Sequence, residues 1–321
     1  MPAPPITLTP AILDLNAAIH RELGKLEGIG GAAPQPLLRR SNRIRTIHGT
    51  LAIEGNTLSL DQVTDVLDGV HVAGPARDIR EVLNANRAYE DLTRWKPTSS
   101  PSLRRAHGVL MDGLVEDAGR WRAGDVGVLR GSRVAHVAPP AHRVPDLMQD
   151  LFGFLRRRTE LPWLIRAAVF HYELEFIHPF SDGNGRMGRL WQQVVCVAHE
   201  PVFEHLPVES LVRENQGDYY AALAECDRAG ESTRFVEFVL DLVARSLREL
   251  VAAIRPGPST ATTRVERALV RLGDRAFSRK EYLALFPTIS PATASRDLRT
   301  AVERGTLTRT GDKATTRYRR T

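Results

Sequence analysis

Two cysteines in 321 residues exclude a fold stapled by disulfides. Cys196 and Cys226 lie in apolar, helix-like stretches far apart in sequence, which fits reduced, buried thiols. Long hydrophobic runs are also missing: no segment approaches the ~18 uninterrupted apolar residues of a membrane span. Met1 to Pro10 lacks the basic-then-apolar pattern of a secretory signal. The expectation is a cytoplasmic protein with no membrane partner. Internal repeats are absent as well, and at ~100–200 residues per domain the length fits two domains. Hydrophobic residues make up 42% of the chain, enough for an ordinary core.

Excess positive charge is absent until the end of the chain. The first 263 residues carry 30 Lys+Arg against 32 Asp+Glu; Arg264 to Thr321 carry 14 against 6, a net of +8. The basic character belongs to the tail alone, which points to a separate C-terminal unit with a polyanionic partner. The clearest break is Arg255-Pro256-Gly257-Pro258-Ser259-Thr260, where two prolines and a glycine interrupt helical patterning. Before it the chain reads as mainly α. Ile44, Ile47 and Leu51, then Leu164, Ala168 and His171–Tyr172, then Leu190, Val194 and Val197–Ala198 recur at helical spacing. One stretch differs. Val126 to Val137 alternates apolar residues around Gly131-Ser132 and reads as a short β-hairpin.

The segment His178-Pro179-Phe180-Ser181-Asp182-Gly183-Asn184-Gly185-Arg186-Met187-Gly188-Arg189 concentrates the chemistry. A helix should stop at His178, because a residue before proline is pushed out of the α region. Gly183 and Gly185 permit a tight turn, and a new helix is expected from about Arg186. Its first turn offers free N–H groups and the positive end of the dipole, an anion site. Arg186 and Arg189 share one face of that turn and suit a polyphosphate. Asp182 adds a carboxylate for Mg²⁺, and His178 a base with an unperturbed pKa near ~6.5. Singly, each residue has an ordinary structural explanation; together they are hard to read as packing.

These residues resemble the active-site motif of Fic-domain proteins, His-Pro-Phe-x-(Asp/Glu)-Gly-Asn-Gly-Arg-x-x-Arg, at all nine fixed positions. The resemblance implies a Fic helical core that transfers AMP from Mg-ATP to Ser, Thr or Tyr hydroxyls of a target protein and of itself. His178 would be the general base, Asp182 the Mg²⁺ ligand, Gly183, Asn184 and Gly185 the phosphate cradle, and Arg186 and Arg189 the grip on the outer phosphates. Phe180 would anchor the loop. A family member that transfers a phosphoryl group has lysine at the position of Gly185, so glycine favours nucleotidyl transfer. The hairpin would be the flap, whose Val134, Ala135 and His136 dock the target by strand addition. Tyr219 and Tyr220 fall in a segment resembling the adenine pocket, with Tyr220 the better candidate. A plain surface hairpin and core tyrosines are the alternatives.

Upstream, Thr50-Leu-Ala-Ile-Glu54-Gly55 is similar to the inhibitory motif of regulated Fic proteins. Gly55 reads as a C′ residue, placing Glu54 in the last helical turn where the dipole disfavours an acid. By analogy Glu54 pairs with Arg189 and holds ATP in an unproductive pose. The same glutamate in relation to AMP removal is a further alternative.

The basic tail reads as a helix over Arg264–Leu272, a capping box at Ser278-Arg-Lys-Glu281, and Ser290-Pro291 opening a helix that ends at Gly305. Leu307–Thr310 and Thr316–Arg319 then read as two strands. This order resembles a winged helix-turn-helix domain. It implies DNA contacts through Arg296, Arg299, Arg317 and Arg319, with protein docking as the alternative. The expected organisation is therefore an N-terminal helical region over 1–96 with an inhibitory helix at about 37–54, a catalytic core over 97–254, a linker over 255–263 and a winged domain over 264–321. A homodimer is expected from the resemblance alone. The competing reading is a DNA-binding regulator whose Fic core senses nucleotide.

Overall fold

The computed structural model describes residues 4–28, 36–130, 133–157, 161–254, 260–272, 275–286, 289–312 and 315–321. The expected Gly131-Ser132 turn, linker residues 255–259 and the side chains of Val134 and Ala135 lie outside what it describes. Two compact units emerge, Met1–Ile254 and Arg255–Thr321, each with its own hydrophobic core.

The first unit is helical: α1 (Pro10–Gly28), α2 (Pro36–Ile53), α3 (Leu60–Leu67), α4 (Ala76–Glu90), α5 (Ser100–Leu110), the hairpin β1 (Gly127–Arg130) and β2 (Arg133–Val137), then α6 (Val144–Arg156), α7 (Trp163–Ile177), α8 (Asn184–His199), α9 (Val208–Glu214), α10 (Gln216–Ala229) and α11 (Thr233–Ile254). Helix α7 is apolar on nearly every side, and such a helix must be surrounded. Leu164, Ile165, Ala168, Val169, Phe170, Tyr172, Leu174 and Ile177 are all buried. It packs on α6, α8 and α11. On α8, Met187, Leu190, Trp191 and Val194 meet the same core. Helix α11 buries one broad face and carries α1 and α10 against it.

Helix α2 lies on α9 and also meets α3, α4 and α8. The α2–α9 approach depends on Gly49: a β-carbon there would sit 2.8 Å from the Glu209 backbone. Two helix ends of this unit differ from expectation, as does the first helix of the second unit, which starts at Ala261, inside the expected linker and ahead of the expected Arg264. Helix α2 finishes at Ile53, so Glu54 lies just past it, in a turn closed by Gly55 at φ +91°. Helix α8 begins at Asn184, two residues earlier than expected, because the Asn184 side chain braces the preceding loop instead of leaving it irregular.

The hairpin is antiparallel, pairing Gly127 with Val137, Val128 with His136, Leu129 with Val134 and Arg130 with Arg133. Ala135 has no opposite number, so it is a β-bulge that bends the strand.

The second unit contains α12 (Ala261–Leu272), α13 (Arg279–Leu285), α14 (Pro291–Glu303) and the antiparallel pair β3 (Leu307–Thr310) and β4 (Arg317–Arg320). Ser278 and Glu281 exchange capping-box hydrogen bonds at the start of α13, and Ser290 caps α14 with Pro291 following. Ala294, Leu298 and Ala301 turn inward on α14 with Phe277 and Tyr282. Buried Asp297 accepts from Arg264 Nε (2.6 Å) and Nη2 (2.7 Å) and from the Tyr282 hydroxyl (3.1 Å). That bidentate pair fixes α12 to α14.

Candidate active site

The loop between α7 and α8 is held by side chains packed beneath it. Phe180 is wholly buried and stacks on His107, with ring centroids 3.6 Å apart and planes 4° from parallel. His107 Nδ1 accepts from the Gly119 N–H (2.8 Å), so Nε2 carries the proton and donates to the Asp182 carbonyl (3.0 Å). Burial pushes the His107 pKa down to about 4, which keeps this neutral tautomer. Asn184 spans the loop, its Oδ1 accepting from Phe180 N and its Nδ2 donating to Phe180 O, both at 2.9 Å. Arg122, almost fully buried, donates from Nε to the His178 carbonyl (2.7 Å) and from Nη1 to the Gly124 carbonyl (2.9 Å). Gly183 has φ +82°, a left-handed value that suits glycine and turns the chain into α8.

Helix α7 stops at His178, as expected before proline, but His178 itself is not extended. It is left-handed, φ 50° and ψ 60°, the one non-glycine residue with positive φ among those described. Such a backbone is strained and persists where surrounding contacts over-determine it; Arg122 on its carbonyl is one. His178 Nδ1 lies 3.3 Å from the Glu175 carbonyl. A carbonyl only accepts, so Nδ1 carries the hydrogen and Nε2 keeps its lone pair. Burial lowers the pKa of His178, with the carboxylate of Glu175 opposing. The imidazole is therefore neutral near pH 7.

Ahead of α8 the charges interlock. Asp182 Oδ1 meets Arg186 Nη2 (3.1 Å) and Oδ2 meets Arg77 Nη2 (3.2 Å). Arg186 Nη1 also reaches Glu81 Oε1 (3.1 Å), and the other Glu81 oxygen accepts from Asn56 Nδ2 (2.9 Å). Arg189 is 2% exposed. Its Nε donates to Thr50 Oγ1 (2.9 Å), and its Nη2 donates to the Thr50 carbonyl (3.1 Å) and to Glu54 Oε1 (2.7 Å). Burial works against charge on Arg189, and Glu54, Tyr219 and Glu175 together outweigh it, so the guanidinium stays charged. Arg189 Nη1 is buried with no hydrogen-bond partner among the described residues. At Gly185 a β-carbon would lie 2.4 Å from Glu54 Oε1 and 3.3 Å from Arg189 Nη1. The carboxylate of Glu54 thus reaches the glycine turn and the N-terminus of α8.

Comparison with known proteins agrees with this fold. The Fic/DOC family model matches residues 97–196. The structure of a Fic family protein from Desulfovibrio desulfuricans G20 superposes with a TM-score of 0.78 and is 42% identical, covering 100% of this chain and 98% of that one. The chain belongs to the Fic family. The protein adenylyltransferase fic-1 of Caenorhabditis elegans is 30% identical over 228 residues, and that of Caenorhabditis briggsae 29% over 227, each covering 65% of this chain. The chain spans about two fifths of the length of those two relatives, 41% in each case. The C. elegans Fic-1 structure shares the fold at TM-score 0.61 and 24% identity, covering 76% of this chain and 73% of that one.

Within this Fic fold, His178, Asp182, Gly183, Asn184, Gly185, Arg186, Arg189 and Glu54 gather around the start of α8. The side chain of Asn184 is committed to Phe180, which leaves its backbone for a ligand. Tyr219 is buried, its hydroxyl 3.4 Å from both His171 Nε2 and Glu175 Oε1. Tyr220 is half-buried, with its hydroxyl 3.4 Å from the Ile53 carbonyl beside Glu54. His136 turns its ring inward onto α7 and α10. Arg296, Arg299, Arg317 and Arg319 lie in the second unit, exposed on α14 and β4. Sequence reasoning missed Arg77, Glu81, Arg122 and His107. Each comes from outside the motif, in a helix or loop whose local pattern gives no chemical signal.

Among the described residues no three His, Cys, Asp or Glu side chains cluster as a metal site. An Mg²⁺ ion carried in with a nucleotide needs only one or two carboxylates, and the half-exposed Asp182 fits that role. The unpartnered Arg189 Nη1 suits a phosphate oxygen. Among the described residues no helix is long and apolar enough to cross a membrane.

Proposed function

We propose that this protein is an adenylyltransferase that moves AMP from Mg-ATP to a Ser, Thr or Tyr hydroxyl of a target protein and of itself, restrained by Glu54. One observation carries the reading: a neutral histidine with a free Nε2 sits beside a glycine turn, two arginines and a helix N-terminus, and a carboxylate from outside the motif occupies one of those arginines. The acceptor hydroxyl gives its proton to His178 Nε2 while its oxygen attacks the α-phosphorus, and pyrophosphate leaves. Arg186, Arg189 and the backbone N–H groups at Gly183–Gly185 bind the phosphates. Asp182 would hold Mg²⁺, which would neutralise phosphate charge. Tyr220 would border the adenine, and the backbone of Val134, Ala135 and His136 would offer a strand edge to the target. Glu54 competes with the γ-phosphate for Arg189, and Thr50 holds the same guanidinium from the other side. The names of the Caenorhabditis relatives support the transfer chemistry.

Intact-protein mass after incubation with Mg-ATP tests the proposal. An AMP increment is expected to grow in Glu54→Gly and to vanish in Glu54→Gly/His178→Ala. An increment that survives loss of His178 would remove the assigned base.

The net +8 of Arg264–Thr321 favours a second role, duplex DNA binding by the C-terminal unit as a winged helix with α14 as the reading helix. A salt-dependent mobility shift tests it; no binding to duplex at low salt would favour protein docking.

A further inference from the structure

We infer that His136 and Asp227 form a charged clamp that holds strand β2 against α10 and the C-terminal end of α7, and that the clamp opens when His136 loses its proton. His136 Nε2 lies 2.8 Å from the Phe176 carbonyl oxygen, and Nδ1 lies 3.1 Å from Asp227 Oδ2. A peptide carbonyl and an ionised carboxylate both only accept. Both ring nitrogens must therefore carry hydrogen, and the ring is an imidazolium. It is 12% exposed, so the contacts are shielded from water. The bulge at Ala135 bends β2 immediately before His136, and the neighbouring Val137 is 75% exposed. The ring goes inward while the next side chain goes out.

The groups facing this imidazolium come from both helices beneath it. Asp227 on α10 makes the ion pair, and its other oxygen accepts from the Tyr172 hydroxyl at 3.1 Å. Glu175 and Tyr172 on α7 and the neutral His178 beyond its end complete the titratable surroundings. Phe176, whose carbonyl is the second anchor, lies two residues before His178, and its ring is 4.9 Å from that of His136. The hydrogen bond from Asp227 raises the pKa of His136 against the effect of burial. The sign follows: the clamp is fully made below the ordinary histidine value of ~6.5 and is lost as pH rises through the raised one. A neutral ring can donate to only one anchor. Release would free β2 from α10 or from the end of α7, and with it the backbone edge of the hairpin. His136 and Asp227 are positioning residues here; neither needs to touch the nucleotide. Any effect on target docking rests on the transferase reading, but the clamp itself does not.

The full-length protein labelled with ¹⁵N-histidine, with its resonances assigned by a His136→Gln variant, tests the charge state by NMR. His136 is expected to hold a hydrogen on both nitrogens at pH 6 and to titrate above ~6.5. Hydrogen exchange at the amides of residues 133–137, corrected for the intrinsic pH effect, should be at least about tenfold faster above the transition. Asp227→Asn should give that fast exchange already at pH 6. His136→Gln, which is neutral at every pH, should abolish the pH dependence even if Asp227→Asn destabilises α10. A His136 that titrates at or below ~6.5, or hairpin exchange indifferent to pH in the parent protein, would overturn the clamp. Neither readout needs transfer activity, so an inactive protein would fault the transferase reading and leave the clamp decided. If both hold, KM for a protein target in the Glu54→Gly background changes across the same pH range, and the change disappears in His136→Gln.

Discussion

Phe180 is the residue on which the loop geometry turns. It is wholly buried between His107 and Trp121, and Asn184 is bonded to both ends of its backbone. Phe180→Ala should cost about 3–5 kcal/mol in chemical denaturation and disorder the His178 backbone. His107 makes a separate prediction. Its folded pKa is about 4 and its unfolded value near ~6.5, so the unfolded chain binds more protons between them. Stability should fall as pH drops from about 6.5 towards 4, by an amount on the order of 3 kcal/mol from this residue. Denaturation midpoints at stepped pH in parent protein and His107→Gln measure it; an equal decline in both would assign the loss elsewhere. The motif residues and Glu54 were legible from one short pattern each. Glu81 was not, because its role depends on a carboxylate of α4 coming within 3.1 Å of Arg186, and no spacing within α4 encodes that approach.

At the scale of elements, the contact of α2 with α9 positions Glu54. Gly49 lets the helices touch, and an alanine there meets rigid backbone, not a yielding side chain. Gly49→Ala should destabilise the fold by about 1–3 kcal/mol and push α2 away from α9. If Glu54 restrains transfer, the same change should raise AMP incorporation in the intact-mass assay, a gain of activity from a loss of stability. Lower stability with unchanged incorporation would show that α2 shifts without carrying Glu54 along. Helix positions were readable from periodicity, and the caps at Ser278 and Ser290 from local chemistry. The end of α2 and the start of α8 were not, because the Asn184–Phe180 brace and the turn bonds of Glu54 and Gly55 are short-range hydrogen bonds that hydrophobic spacing does not encode. The hairpin was visible in the alternation, but its bulge at Ala135 leaves no mark in composition.

For the whole molecule, the charge asymmetry between the two units gives a quantitative expectation. If the second unit holds duplex DNA through its exposed arginines, each lost phosphate contact lowers the slope of log K against log salt by about 0.9. Arg317→Ala/Arg319→Ala should flatten it by about 2 units, while Glu54→Gly should leave it unchanged. Binding isotherms at four or five salt concentrations suffice; an unaltered slope would take β4 out of the interface. A different consequence follows from Gly185. The space where its β-carbon would stand is filled by the carboxylate of Glu54. If Glu54 is the restraint and this turn holds phosphate, as proposed, position 185 is a shared parking space: a side chain there evicts the restraint and, by the same stroke, intrudes on the turn. Searches for deregulated variants should find position 54 readily and position 185 seldom, since unlocking the protein at that point also blocks the keyhole.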